Sequence, residues 1–260
     1  MLAEGRQQII LDTVNRLNII SVAELSKRLK ASEVTVRKDL TELELLGKLR
    51  RTRGGAMRMD YDGASFEPMY SQLQNENYEL KWNICKAAYE FVDNKSAIII
   101  DASSTAGLLC KFIREDPRMN LTVVTNSAYV LTELSGCKNV DVIMLGGQVR
   151  KHMLSCAGPL TDLILGQLHV DKAFLGINGV DFKNDLLTTP SIIEAELKRS
   201  MIACARETII LADNTKLART ALSRVCAASE VDLIIADSET DASALREAEE
   251  CGAKLVLANP

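Results

Sequence analysis

Apolar residues in the first sixty positions recur at helical rather than strand spacing. Ile9, Ile10, Thr13, Val14 and Leu17 share one face of a helix predicted over Glu4–Asn18. Ser21-Val-Ala-Glu24 fits a capping box, in which serine and glutamate satisfy each other's orphan amides. It opens a second helix that turns Val22, Leu25 and Leu29 inward. After a break at Lys30–Ala31, Ser32 is placed to cap a third helix that runs to about Leu46 and is ended by Gly47. Val36, Leu40 and Leu43 make its buried stripe. Beyond it, Leu49-Arg-Arg-Thr-Arg-Gly-Gly-Ala-Met57 reads as two short extended pieces around basic residues, a β-wing.

The periodicity lapses over Met59–Asn77, where Asp60, Asp62, Gly63, Pro68, Asn75 and Asn77 interrupt it. A new helix begins near Tyr78, and short β-branched runs then alternate with helical stretches. Ala97–Asp101, Leu121–Thr125, Val140–Leu145, Asp171–Leu175, Thr208–Ala212 and Val231–Ala236 read as strands. Thr105–Glu115, Ala128–Ser135, Leu160–Leu168, Ile192–Ala205 and Ala242–Cys251 read as helices. This order predicts a Rossmann-like, mostly parallel α/β sheet with helices on both faces. The expected organisation is a winged helix–turn–helix over 1–58, a linker over 59–77 and an α/β domain over 78–260.

Composition excludes several classes. The 260 residues are 47% hydrophobic and 25% charged, ordinary values for a globular protein. No apolar run approaches the ~18 residues that span a bilayer, and Glu4, Arg6 and Asp12 break any signal-peptide pattern. A cytoplasmic protein with no membrane partner is expected. The seven cysteines are odd in number, spread out and without a CxxC pair, and the two histidines, His152 and His169, lack neighbouring ligands. No metal, no cofactor and no disulfide framework is expected.

The net charge of −4 argues by itself against a nucleic-acid partner, but it is unevenly distributed. Residues 1–58 hold 12 basic against 7 acidic side chains, and the remainder holds 19 against 28. Lys48–Arg58 carries five cations and no acid. On the third helix, Lys38 and Thr41 point away from the buried stripe, with Thr35 and Arg37 on its flanks and Ser32 at its start. That half of a recognition helix meets base edges in the major groove, where arginine and lysine suit guanine and threonine suits a thymine methyl. Arg50, Arg51 and Arg53 of the wing are expected on phosphates or in the minor groove. Leu45 also falls on the outer face and is expected to pack on the wing.

Ligands of open α/β sheets bind outside the carboxyl ends of the strands. There the chain places Asp101-Ala-Ser-Ser-Thr105, Thr125-Asn-Ser127, Leu145-Gly-Gly147 and Gly176-Ile-Asn-Gly-Val-Asp181. Lys198 and Asp213-Asn-Thr-Lys216 come later in the chain. Small polar residues opening a helix suit an anion such as phosphate. Six such segments at the ends of one sheet predict a pocket.

Ser32-Glu-Val-Thr-Val-Arg-Lys-Asp-Leu40, Gly47-Lys-Leu and Arg51-Thr-Arg-Gly-Gly-Ala56 resemble the winged helix–turn–helix signature of the DeoR family of bacterial transcriptional regulators. Lys81-Trp-Asn-Ile84, Asp101-x-x-Ser-Thr, Val124-Thr-Asn-Ser127, Asp171-Lys-Ala-Phe-Leu-Gly176, Glu194-Ala-x-x-Lys198 and Asp213-x-x-Lys216 are similar to that family's effector domain. The resemblance implies a homo-oligomeric (dimeric or tetrameric) regulator, most simply a repressor of a carbohydrate catabolic operon, which binds operator double-stranded DNA and a phosphorylated sugar. It places Ser103, Ser104 and Thr105 around the phosphate with Lys216 as countercharge. Asp101, Asn126, Gly146, Gly147, Asn178 and Lys198 would line the sugar. Four departures stand out: Lys38 for a second arginine, Arg53 for a frequent histidine, Ser103 for a common glycine, and Leu217-Ala218 for Phe-Gly. Serine at 103 predicts a tighter or differently bent loop.

Two other classes compete with a sugar-controlled repressor. The domain also looks like ribose-5-phosphate isomerase, whose Asp-Gly-Ala-Asp-Glu motif would fall on Leu175-Gly-Ile-Asn178-Gly179. Leucine, asparagine and glycine supply no general base, so no catalytic residue and no enzyme is expected. An NADH-sensing repressor needs G-x-G-x-x-G after a strand, and the chain lacks that spacing.

Overall fold

The computed structural model describes residues 3–17, 19–52, 54–59 and 70–259. The chain divides into two compact units, Met1–Gly63 and Ala64–Pro260.

The first unit contains α1 (Ala3–Leu17), β1 (Ile19–Ser21), α2 (Val22–Leu29), α3 (Glu33–Leu45), β2 (Arg50–Thr52) and β3 (Gly55–Met57). Ile10, Val14, Leu25, Val36, Leu40 and Leu43 meet in its core, as their helical spacing requires. Ser21 accepts a hydrogen bond from the Glu24 amide at 3.1 Å, while the Glu24 carboxylate turns to Arg28 at 3.0 Å, so only the serine half of the capping box forms. Ser32 caps α3 by accepting from the Thr35 amide at 3.2 Å. Gly47, at φ +64°, closes it: its amide donates to Glu44 O at 2.9 Å and that of Lys48 to Leu43 O at 3.0 Å, the paired bonds of a Schellman stop. The wing is a three-stranded antiparallel sheet in the order β1-β3-β2, and β1 was not predicted.

The second unit begins with α4 (Tyr70–Leu73), α5 (Tyr78–Tyr89), β4 (Ala97–Ile100), α6 (Ser104–Gly107) and α7 (Leu109–Glu115). It continues through β5 (Leu121–Thr125), α8 (Ala128–Leu134), β6 (Val140–Met144), β7 (Gln148–Arg150), β8 (Ser155–Ala157) and α9 (Pro159–Leu165). Then come β9 (Val170–Gly176), β10 (Gly179–Asp181), β11 (Leu186–Thr189), α10 (Ile192–Cys204) and β12 (Ala205–Leu211). It closes with β13 (Ser223–Cys226), β14 (Leu233–Ala236), α11 (Ala242–Cys251) and β15 (Leu255–Leu257).

Seven strands pair in parallel in the order β15-β14-β12-β9-β4-β5-β6. Alternate residues of each strand feed opposite faces. Ile99 packs with Leu197 and Met201 of α10 on one side. Ile98 and Ile100 pack with Ile84 of α5 and Leu109 of α7 on the other. Burial on both faces explains why the inner strands read as continuous apolar runs.

The smaller pieces depart from expectation. The single helix predicted over Thr105–Glu115 is divided at Leu108 into α6 and α7. The β7–β8 hairpin and the antiparallel sheet β10-β11-β13 were not predicted. Part of the stretch read as linker is structured: α4 belongs to the second unit, where the Tyr70 amide donates to His152 O at 2.8 Å. Among the described residues no helix is long and apolar enough to cross a membrane, and no cluster of side chains could hold a metal. All seven cysteines are free, and burial pushes the Cys226 thiol up to about 12.

Candidate functional sites

On the first unit, α3 presents Ser32, Arg37 and Lys38 to solvent, with Thr35 and Thr41 half-buried beside them. The Arg37 guanidinium lies 3.3 Å from Glu33 in an exposed pair of the kind that contributes little. Arg51 departs from the expected phosphate role. Its Nη1 donates to Thr41 Oγ1 at 2.9 Å and its amide to Glu44 Oε1 at 2.8 Å, so it fastens the wing to α3. Thr41 in turn donates to Arg37 O at 2.8 Å. Arg50 is half-buried on β2, and Arg53 lies outside the described residues. Leu45 does not pack on the wing: it is 82% exposed.

Two residues of α3 escaped the sequence reading. Val34 is 78% exposed near the start of α3 and shares a helix face with Lys38 and Thr41. Asp39 looks like part of the basic motif but is buried, and both its oxygens are taken by Arg6 of α1, at 2.5 and 2.9 Å. That bidentate bond raises the Arg6 guanidinium's pKa and fixes the pitch of α3 against α1. Asp39→Asn is therefore expected to lower the melting temperature of the N-terminal unit while leaving that of the C-terminal unit unchanged, as calorimetry would resolve.

On the second unit, a cleft at the carboxyl ends of β4 and β9 is lined by Ser103, Ser104, Thr105, Asn178, Lys198 and Lys216, together with Leu73, Lys81 and Glu194. It is narrow, with a cavity volume of about 40 Å³, and it opens to solvent. Asp101 sits beneath it as a brace. One carboxylate oxygen accepts from Lys198 Nζ at 2.5 Å and from the Gly176 amide at 3.1 Å, and the other accepts from the Ser103 amide at 3.0 Å. Glu194 also meets Lys198 at 3.4 Å, and its second oxygen meets Arg150 of β7 at 3.2 Å. Burial disfavours the Lys198 charge, but these two carboxylates outweigh it and hold its pKa above the ordinary lysine value.

Ser103 causes no bend. Its φ of −71° is ordinary extended backbone, and its hydroxyl caps α6 by accepting from the Ala106 amide at 3.0 Å. The adjustment is carried by Gly176 instead, where a Cβ would stand 2.2 Å from that of Ser103. Asn126, Gly146 and Gly147 do not line the cleft. Asn126 Nδ2 donates to Cys156 O at 3.0 Å, and the Gly146 carbonyl accepts from Thr161 at 2.7 Å. A Cβ on Gly147 would meet the same Thr161 hydroxyl at 2.3 Å. These three seat the β7–β8 hairpin and α9 over the ends of β5 and β6.

Among the cleft residues absent from the expected site is Lys81 of α5, only 2% exposed. Its ammonium donates to Leu73 O at 2.7 Å and to Ser104 Oγ at 3.2 Å, both neutral oxygens. Burial pushes its pKa down to about 8, with a small opposing pull from Asp213. Lys216 stands 3.9 Å from Asp213, which also accepts from Asn77 at 3.3 Å.

Residues 6–61 match the DeoR-like helix-turn-helix domain, and residues 76–238 match the DeoR C-terminal sensor domain. The chain belongs to the DeoR family of transcriptional regulators. The HTH-type transcriptional regulator YulB of Bacillus subtilis is 35% identical over 250 residues, covering 96% of this chain and 95% of that one. The lactose phosphotransferase system repressor of Streptococcus mutans is 32% identical over 247 residues, covering 93% and 94%. The Escherichia coli putative aga operon transcriptional repressor is 29% identical over 255 residues, covering 98% and 93%. Ribose 5-phosphate isomerase A of Methanocaldococcus jannaschii is a distant likeness, 18% identical with a TM-score of 0.41 over 55% of this chain and 56% of that one.

This DeoR-family chain is a regulator and not an enzyme. At the positions where the isomerase motif would place acids, Leu175 is buried in the core, Asn178 Oδ1 accepts from Thr189 at 2.9 Å, and a Cβ on Gly179 would collide with Thr188 at 2.5 Å. The other departure from the family pattern leaves strain. Ala218 stands at φ +54°, the left-handed region where a glycine is at home. Ala218→Gly is expected to stabilise the second unit by about 0.5–1 kcal/mol, measured as a raised midpoint in urea.

Proposed function

We propose that this regulator represses a carbohydrate catabolic operon and is controlled by a phosphorylated sugar, or a related intermediate, held in the cleft of residues 78–260. The observation that carries the reading is Lys81, a buried cation whose hydrogen-bond partners are neutral oxygens, facing a cleft lined with hydroxyls and two further lysines. A dianionic phosphate would supply the counter-charge. Ser104, Thr105 and Lys216 stand with Lys81 around the phosphate, and Asn178 and Lys198 face the sugar. The Streptococcus mutans and Escherichia coli relatives, a lactose phosphotransferase system repressor and a putative aga operon repressor, support a sugar operon.

On the DNA side, residues 1–58 read the operator, and 59–77 lead from them toward the sensor. Arg37, Lys38, Thr41 and Val34 face bases, with Val34 suited to a thymine methyl. Arg50 and Arg53 contact phosphate, and Arg51 acts by holding Thr41 and the wing. Homo-oligomers suit the two half-sites of a symmetric operator, and such a regulator works in the cytoplasm.

The ligand can act because Lys81 also holds the Leu73 carbonyl of α4, the first described element after residues 60–69. An anion that draws the ammonium away weakens that bond in one state only, the differential contact that a shift of equilibrium requires.

Mobility shift with the DNA flanking the protein's own gene, at stated salt, should show specific binding; binding no stronger than to random DNA would discard the repressor. In the same assay Lys38→Ala should cut the preference for operator over random DNA about tenfold or more, consistent with about 1–3 kcal/mol for a good base contact.

A further inference from the structure

The cleft is too narrow, as it stands, for the ligand proposed. Its volume of about 40 Å³ is little more than one water's ~30 Å³ share of the liquid, whereas small-molecule pockets run to about 300–1,000 Å³. Lys81, Glu194 and Lys198 line it from the long helices α5 and α10. Two apolar side chains come from slighter pieces. Leu73 belongs to the four-residue helix α4, and the buried Met153 to the turn between β7 and β8. These pieces are far apart in sequence but joined, because the Tyr70 amide donates to His152 O at 2.8 Å.

The turn stands on two three-residue strands, and a hairpin of that kind is marginal by itself. Its base is anchored. Leu154 O accepts from the Ala128 amide at 2.9 Å, and the Cys156 amide donates to Asn126 O at 2.9 Å. Leu154 therefore divides the turn from the fixed strand, and it stands at φ +51°, a left-handed conformation uncommon outside glycine. Under the hairpin, Asn126 Oδ1 and Ser155 Oγ are buried without a hydrogen-bond partner among the described residues, which weakens the seat on which the turn rests. On the other side, α4 is fastened at its far end by the bond from Lys81 Nζ to Leu73 O, 2.7 Å. Strain at a hinge and few fastenings mark a segment that opens locally before the rest of its domain.

The geometry points to a lid: α4 and the β7–β8 turn cover the cleft together, and a ligand larger than water enters only when both swing away. Lys81 is the catch. The Leu73 carbonyl occupies an ammonium that an entering anion would take, so a bound phosphate keeps the catch released. Freed from it, a single helical turn such as α4 is too short to hold its own hydrogen bonds. The lid is a property of the chain itself; that its occupant is a sugar phosphate rests on the effector reading.

The test uses the full chain and its own methionines. Met153 and Met201 are both buried, at 5% and 0% exposure, but only Met153 lies under the lid. Under dilute hydrogen peroxide, followed by mass spectrometry, Met153 should oxidise at least tenfold faster than Met201. Lys81→Met, which releases α4, should speed Met153 a further tenfold or more, although Met153 belongs to the other piece. Oxidation of Met153 as slow as that of Met201 would overturn the lid, and so would a Met153 rate that Lys81→Met leaves unchanged. Should that variant fail to fold, Leu73→Gly loosens α4 instead and is read in the same way. A sugar phosphate that raises the melting temperature of the sensor unit should speed hydrogen exchange over residues 70–74 tenfold or more; slower exchange there would refute the catch. If no sugar phosphate raises that temperature, the effector reading fails, while the methionine comparison needs no ligand and still decides the lid.

Discussion

Replacing Lys81 by methionine is expected to abolish the response to effector. A hydrogen bond to a charged group contributes about 1.5–3 kcal/mol, so a phosphorylated ligand should bind ten to a hundred times more weakly. Methionine keeps the length and apolar packing of the stem, and the variant should fold. The wild type should also show a pH signature. Lys81 has a pKa of about 8 in the folded protein, against about 10.4 for a free lysine. Between those values the unfolded chain binds more protons than the folded one, so this group's contribution to stability rises with pH through that window. Ligand affinity runs the other way. An anion favours the charged amine, so binding is strongest below pH 8 and falls by up to tenfold per unit above it, until the pKa of the complex is reached. Isothermal titration at pH 7 and pH 9 should show this decline in the wild type and a flat profile in Lys81→Met. Equal affinities for the two proteins at pH 7 would remove Lys81 from the site.

Gly55→Ala should have the opposite pattern: operator binding lost, effector binding kept. A Cβ at position 55 would lie 1.9 Å from the Ile20 carbonyl oxygen and 2.8 Å from Ser21 Cα, both backbone atoms of the paired strand. Neither can turn aside as a side chain would, because Ser21 pairs with Gly55 and Ile20 with Ala56 in the β1–β3 ladder. The cost should reach about 3–5 kcal/mol, at the exceptional end for a single substitution. A unit of this size carries only about 3–9 kcal/mol in total, so the wing should separate and specific binding should fall a hundredfold or more in a mobility shift. Gly54→Ala is the control, since nothing stands within 4 Å of a Cβ there. Wild-type operator affinity in Gly55→Ala would show that the β1–β3 pairing does not hold the DNA-reading surface.

What could be read in the sequence was what short-range chemistry decides. The Ser21 and Ser32 caps, the Gly47 stop and the stripe of Val36, Leu40 and Leu43 each depend on residues within about seven positions, and all form. So do six of the seven parallel strands, the inner ones because burial on both faces leaves continuous apolar runs; Leu255–Leu257 is too short to stand out. Long-range pairings were hidden. Nothing local to Asp39 indicates that Arg6, thirty-three residues earlier, will claim it. Lys81 reads as a helix residue until α4 and Ser104 close over it. Asn126, Gly146 and Gly147 were assigned to the pocket because they follow strands, the ordinary place for a ligand. The three-residue strands of the β7–β8 hairpin give no periodicity to warn that this end of the sheet is covered.

The central claim is that a phosphorylated ligand in the C-terminal cleft changes how the N-terminal domain holds its operator. The most direct measurement is fluorescence anisotropy of labelled operator DNA at fixed salt, titrated with sugar phosphates and with the same sugars lacking phosphate. At least one sugar phosphate should shift operator affinity tenfold or more, its unphosphorylated counterpart should not, and Lys81→Met should abolish the shift. Sugar phosphates that raise the melting temperature of the sensor unit yet leave operator affinity unchanged would contradict the claim, as would a shift that survives in Lys81→Met.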